Sequence, residues 1–375
     1  MPLAEEFQPL IHFISLCLKS FPTFAPMKNY WTFIICCILI WSCETDVDVN
    51  DDWKDITVTF GVLSKNDSTH YIKINKAFLG KADAYVMAQI SDSSQYQNIS
   101  ATIEEIKNGT TQRSWSLKDT LITDKEEGTF YYPEQTVYYF YADNLDGDAS
   151  YQLTISIPGK EETVSANTEL IDNFALLGGF IFQSPVDIGF YNKGTVEYTD
   201  PVFEWGAQKD GKRYQPTLVF KYVEMYLDTT ADTLTFEWYM PPQKAGNILG
   251  VGSMEQEIKG EEFYQQIAAN IKPIAESPNV KWRKFIDLRM YLTIAADELN
   301  TYIEVNEPAT GLIQEKPEYT NIENGIGIFS SRIKVYSKFN KEMNSDSDNE
   351  LYSGKYTSDL GFCDPNPNHD YFCGN

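Results

Sequence analysis

VYYFYADNLDGDASYQLTISI, residues 137–157, is strand sequence on both sides of an Asp-Gly pair. Val137 to Tyr141 is a run of β-branched and aromatic residues, the types that fit a pleated, half-buried surface. Tyr151, Leu153, Ile155 and Ile157 then recur at the two-residue period of a strand. Asp-Gly favours the tight turns of hairpins, so Asp146-Gly147 predicts that the two runs pair as a β-hairpin.

The same texture extends towards the N-terminus. Ile56, Val58, Phe60 and Val62 alternate with Thr57, Thr59 and Gly61, and Tyr71-Ile72-Lys73-Ile74 follows across the polar turn Lys65-Asn66-Asp67-Ser68. Short strands at this spacing predict an immunoglobulin-like β-sandwich over residues 53–170. A second, larger antiparallel β domain is expected over 171–343. Its strands are Val202–Trp205, Thr217–Val223, Leu234–Trp238 and Gly325–Phe329. Phe263, Ile267 and Ile271 instead recur at helical spacing behind Glu261 and Glu262, with Pro273 just beyond, which predicts a helix. A second short helix is expected over Asp297–Tyr302. The overall class is mainly β, with one or two short helices. The tail, 344–375, is polar and reads as a flexible run that ends in a Cys363–Cys373 loop.

At 375 residues the chain suits two domains of ordinary size, and 42% hydrophobic residues suffice for packed cores. Lys and Arg total 30 against 54 Asp and Glu, a net charge of -24. Nucleic-acid binding needs clustered cations and is excluded on that ground, as is electrostatic adhesion to anionic lipid. Cysteines stand at 17, 36, 37, 43, 363 and 373. Cys363 and Cys373 are the pair in the expected folded body, which suggests one disulfide formed in an oxidising compartment; two free thiols are the alternative.

Catalytic and metal chemistry find little support. Asp143-Asn144-Leu145-Asp146-Gly147-Asp148 has the look of a calcium loop, but Leu145 stands where an oxygen ligand is required, and a hairpin turn explains the segment. Asp364, His369 and Asp370 are a second cation candidate, equally explained by Pro-Asn turn chemistry. His70 and His369 are too isolated in sequence to suggest a nucleophilic triad, and no carboxylate pair stands out among 54 acids. Gly250-Val251-Gly252 lacks the third glycine of a dinucleotide site and reads as a loop. The chain is expected not to be an enzyme and to need no cofactor or metal. Aromatic residues reach 14%, with 24 Tyr and 7 Trp; such rings suit strand cores, sugar stacking and protein interfaces alike.

Twelve mostly apolar residues, Tyr30–Trp41, precede Ser42-Cys43. As a helix they reach about 18 Å, short of the roughly 30 Å of a bilayer core. Lys28 in front, the apolar run and the small Ser42 have the layout of a secretory signal over 1–42, with Met27 as its expected start. Ile40-Trp41-Ser42-Cys43 resembles a bacterial lipobox, which implies that Cys43 is lipidated and becomes the first mature residue; Trp41 is a bulky departure. The acidic tether that follows, 43–52, resembles the surface-export signal of Bacteroidota lipoproteins.

Three blocks carry a wider resemblance: Tyr151–Lys160 with Val164–Thr168, Tyr302–Pro308, and Tyr319–Phe329. Together they resemble a Bacteroidota outer-membrane lipoprotein family of unknown function, each block being short and strand-like. The resemblance implies an outer-membrane, surface-exposed protein held by its lipid, working near a TonB-dependent transporter with a glycan or protein ligand. It carries over no catalytic residue. A fimbrial or adhesive subunit, or a glycan-binding protein, is the alternative. Asp67-Ser68-Thr69, Asp119-Thr120-Leu121 and Asp232-Thr233-Leu234 resemble the short O-glycosylation motif of the same bacteria.

Overall fold

The computed structural model describes residues 56–77, 84–171, 187–308, 318–336, 342–364 and 366–374. The signal segment, Cys43 and its tether lie outside the described residues. The fold is mainly β, as the alternation predicts. Its first strands are β1 (Ile56–Leu63), β2 (Thr69–Ala77), β3 (Ser100–Lys107), β4 (Thr110–Ser116), β5 (Lys118–Ile122), β6 (Gln135–Tyr141), β7 (Ser150–Ser156) and β8 (Val164–Glu169). Then come β9 (Tyr191–Asn192), β10 (Glu197–Tyr198), β11 (Val202–Gly206), β12 (Arg213–Tyr226), β13 (Ala231–Tyr239), β14 (Gln243–Lys244), β15 (Ser253–Glu257), β16 (Val280–Ala295) and β17 (Gly325–Tyr336).

A nine-stranded sheet runs β13-β12-β16-β17-β1-β2-β6-β5, with β14 beside β12. A four-stranded sheet, β4-β3-β7-β8, covers one end of it. Between them lies a core of Leu63, Ile72, Tyr138, Phe140, Ile103, Tyr151, Leu153 and Phe329. This is a β-sandwich, with Phe329 supplied by a strand near the far end of the chain. The second core joins Leu218, Phe220, Leu288, Met290 and Leu292 of β12 and β16 to Phe263 and Ile267 of the Gly260–Asn270 helix.

The link between the two is a parallel pair. β1 lies along β17 with Phe60 opposite Ile328, whereas β17 meets β16 antiparallel. Gly327 sits at φ +118°, and a Cβ there would collide with the Thr59 carbonyl oxygen, so the close approach of these two strands requires glycine.

Stretch 137–157 is not a hairpin. β6 pairs with β2 and β5, whereas β7 pairs with β3 and β8, so the segment between them arches from one sheet to the other. Leu145 is the reason: it is 1% exposed in the core between the sheets, a burial that a two-residue turn would forfeit. Glu105 of β3 pins the arch. Its buried carboxylate accepts from Arg113 Nε (2.9 Å), the Tyr151 hydroxyl (2.7 Å) and the Asp146 amide (3.3 Å). Arg113 Nη2 also donates to the Asn144 carbonyl at 3.1 Å. Burial alone would raise the Glu105 carboxyl; hydrogen bonds from Arg113, Tyr151 and Asp146 outweigh it and hold the group below its ordinary value.

The tail is not a flexible run: Ser345–Ser353 is a helix, capped by Asn344, whose side chain accepts from the Ser347 amide. Leu351 and Leu360 are buried, Phe362 joins the Phe220 cluster, and the buried Ser347 hydroxyl accepts from the Phe190 amide at 2.8 Å. A few well-placed apolar residues outweigh the polar composition. Tyr302–Pro308 is not strand-like either. It continues the Asp297–Asn306 helix, whose first turn carries Asp297 and Glu298 at the positive end of the helix dipole.

Arg283 ties the tail to the sheet. It is 2% exposed and pairs with Glu224 at 2.7 Å. Its guanidinium also donates to the Lys272 and Leu360 carbonyls and to Ser277 Oγ.

Candidate functional site

Side chains alternate across a strand, so Phe329 in the first core and Ile333 in the second point to the same side of β17. Both cores therefore cover one face of the nine-stranded sheet. Among the described residues the other face is open, apart from the Asp297–Asn306 helix. That helix is held on it by Tyr302 against Phe60 (5.9 Å between rings) and by the Arg213–Glu307 and Lys244–Glu304 ion pairs.

The open face collects exposed aromatic rings. Phe60, Tyr71, Tyr141, Tyr239 and Tyr336 all lie on it, each at least 36% exposed. Beside the helix, Phe60, Tyr302, Val305, Tyr319 and Ile326 line an apolar cleft of about 350 Å³. At the end of β1 a cleft of about 530 Å³ is lined by Ile56, Lys160, Glu161, Glu162, Val164 and Asn324. Lys160 Nζ there lies 3.2 Å from the Tyr96 hydroxyl, which bonds Thr57 Oγ1 at 3.0 Å. The three sequence blocks thus meet: Lys160 and Val164 face Asn324 and Gly325, and Tyr302 and Val305 face Tyr319 and Ile326.

Beyond the helix, a row of side chains crosses four strands. Thr217 of β12 lies opposite both Tyr239 of β13 and Tyr291 of β16, and Tyr291 lies opposite Tyr336 of β17. The Tyr291 and Tyr336 rings are 5.4 Å apart. Lys334 Nζ sits 3.6 Å from the Tyr291 ring centre and 5.2 Å from that of Tyr336, and Arg289 lies 5.8 Å from the latter. Glu237 accepts from the Tyr239 and Tyr291 hydroxyls, the latter at 2.8 Å. These bonds, Tyr239 first, hold its carboxyl below the ordinary value, whereas burial and then Glu237 raise the Tyr291 phenol.

This row was not among the sequence candidates. β16 carries part of its signal: buried Leu288, Met290, Leu292 and Ile294 alternate with Arg289 and Thr293, whereas Tyr291 between them is itself buried, at 3% exposed. The pairing of Tyr239, Tyr291 and Tyr336 depends on a register set by strands far apart in sequence.

Cys43 lies outside the described residues. Cys363 and Cys373 are joined, with Cα atoms 5.0 Å apart. Asp146 in the arch is taken up by Lys107 Nζ at 2.7 Å and by the Asp148 amide at 3.0 Å. Asp364 lies 3.8 Å from His369 Nδ1, and its Oδ1 accepts from the Asn366 amide. Among the described residues no group of three His, Cys, Asp or Glu side chains is placed to hold a metal ion, and no helix is long and apolar enough to cross a membrane. Asp67–Thr69 lies at the turn before and into β2, Asp119–Leu121 in β5, and Asp232–Leu234 in β13.

No protein-family model matches the chain, and no curated protein matches it. Among solved structures, it is similar to the C-terminal globular domain of an oligosaccharyltransferase from Pyrococcus abyssi, at 12% identity and a TM-score of 0.26. The likeness covers 64% of this chain and 46% of that one, and at this score it carries no argument about function.

Proposed function

We propose that the chain is a lipid-anchored outer-membrane protein, displayed at the cell surface, that binds a ligand beside a TonB-dependent uptake system and carries out no covalent chemistry. The observation that carries this reading is Ile40-Trp41-Ser42-Cys43 at the end of an apolar run too short to span a bilayer, followed at once by acidic residues. A lipidated Cys43 with more than one acyl chain gives stable anchoring, whereas a single chain is marginal. The open aromatic face supports the binding role, because exposed rings are costly in water without an occupant. Convergence of the three sequence blocks around β1 and β17 supports the family resemblance.

Cells fed labelled palmitate incorporate it into the wild-type chain and not into Cys43→Ala; label in the variant refutes lipidation at that residue. Affinity purification from detergent-solubilised membranes is expected to recover a TonB-dependent transporter. Recovery of the chain alone refutes the accessory role.

A further inference from the structure

The Tyr239–Tyr336 row differs from the rest of the open face in charge. Three cations, Lys221, Arg289 and Lys334, face out from β12, β16 and β17 near it, against Glu237 and Asp287. Over the whole chain the balance is reversed, 54 acids to 30 bases. A local excess of cations on so acidic a protein is a specific placement, and its complement is an anionic ligand.

We propose that this row binds an anionic oligosaccharide, its sugar rings stacking on Tyr239 and Tyr336 and its carboxylates meeting Lys334 and Arg289. The assignment rests on the ligand-binding reading above and names the site and the ligand class. Tyr239 is 59% exposed and Tyr336 47%, so both rings are open to stack. Tyrosine offers an apolar face and a polar rim, which matches the C–H faces and hydroxyls of a sugar. From β13 to β17 the row spans three strand spacings, about 14 Å, the length of a short oligosaccharide rather than a single sugar. The groups are already fixed. Lys334 is seated over Tyr291, and Glu237 is held between two phenols, where it can accept from sugar hydroxyls. Little side-chain freedom is left to lose on binding. A protein contact of the usual kind has an apolar centre depleted of charge, which this charged strip does not offer.

The test is affinity electrophoresis of the full chain in detergent through gels containing polygalacturonate, alginate or neutral dextran. Polygalacturonate or alginate is expected to retard the wild type and dextran not to, with retardation weakening as salt rises. Tyr239→Ala and Tyr336→Ala are each expected to weaken binding about three- to tenfold. Lys334→Gln weakens it as well, and Val251→Ala, in the exposed loop between β14 and β15, leaves it unchanged. Unchanged thermal melts show that the variants fold. Equal retardation by dextran, unaltered binding in both tyrosine variants, or no retardation by either acidic polymer overturns the proposal. A transporter recovered by the wild type and lost with Tyr336→Ala also overturns it, in favour of a protein contact. A transporter recovered equally by both, with no acidic polymer bound, overturns the glycan assignment and leaves the accessory role standing.

Discussion

Asp348 sits in the Ser345–Ser353 helix with Oδ1 buried and without a hydrogen-bond partner among the described residues. Burial, then the nearby charges of Asp364, Glu342 and Asp187, push its carboxyl up from 3.8 to about 7. The folded protein therefore holds a proton that the unfolded chain releases. Below both values the group costs nothing. As pH rises from 3.8 towards 7 stability falls, and above 7 the loss is complete. A shift of about 3 units at 1.36 kcal/mol each makes the full loss ~4 kcal/mol, of which about 2–3 kcal/mol falls between pH 5 and pH 8. Asp348→Asn removes the titration. The amide replaces a protonated carboxyl at a site where Oδ1 lacks a partner, so the absolute change at pH 5 mixes two effects, but the change with pH does not. Urea unfolding followed by tryptophan fluorescence is expected to show the variant gaining about 2–3 kcal/mol on the wild type between pH 5 and pH 8. A difference between the two proteins that stays constant with pH refutes the reasoning.

Arg283→Met removes the ion-pair partner of the largely buried Glu224 and is expected to cost about 3 kcal/mol in urea melts, with Glu224→Gln restoring part of it in the double variant. At the arch, Tyr151→Phe removes a hydrogen bond to a buried carboxylate and is expected to cost about 1.5–3 kcal/mol. Glu105 is depressed in the folded state, so its contribution is present above the ordinary carboxylate range and lost as pH falls through its lower folded value. An acid titration of Glu105→Gln is therefore expected to lie flatter than that of the wild type.

These effects arise where sequence was hardest to read. The β1–β2 hairpin was legible because alternation and a polar turn lie within one short window. The Gly260–Asn270 helix was legible for the same reason: its apolar stripe, acidic first turn and terminal proline are adjacent. The arch misled because Asp-Gly is ambiguous until the partners of the flanking strands are known, and those partners, β2 and β3, precede it by some 40 to 70 positions. The tail misled because composition averaged its many polar residues with the few that matter, Leu351, Leu360 and Phe362. The tyrosine row was invisible because each of its members is an ordinary strand residue; β13, β16 and β17 make it a surface only by lying side by side.

The β1–β17 pair also imposes an order of events on folding. Asn66 reaches the Lys334 carbonyl across 268 positions, and Phe329 fills the sandwich core that β1 begins. As synthesis proceeds, the first strands emerge with β17, the second partner of β1, still unmade, so the N-terminal sandwich waits with one edge open and a hole in its interior. Closing a loop of that length before any contact rewards it makes for slow folding. A chain cut after residue 170 should consequently behave as an aggregation-prone fragment rather than a free-standing domain.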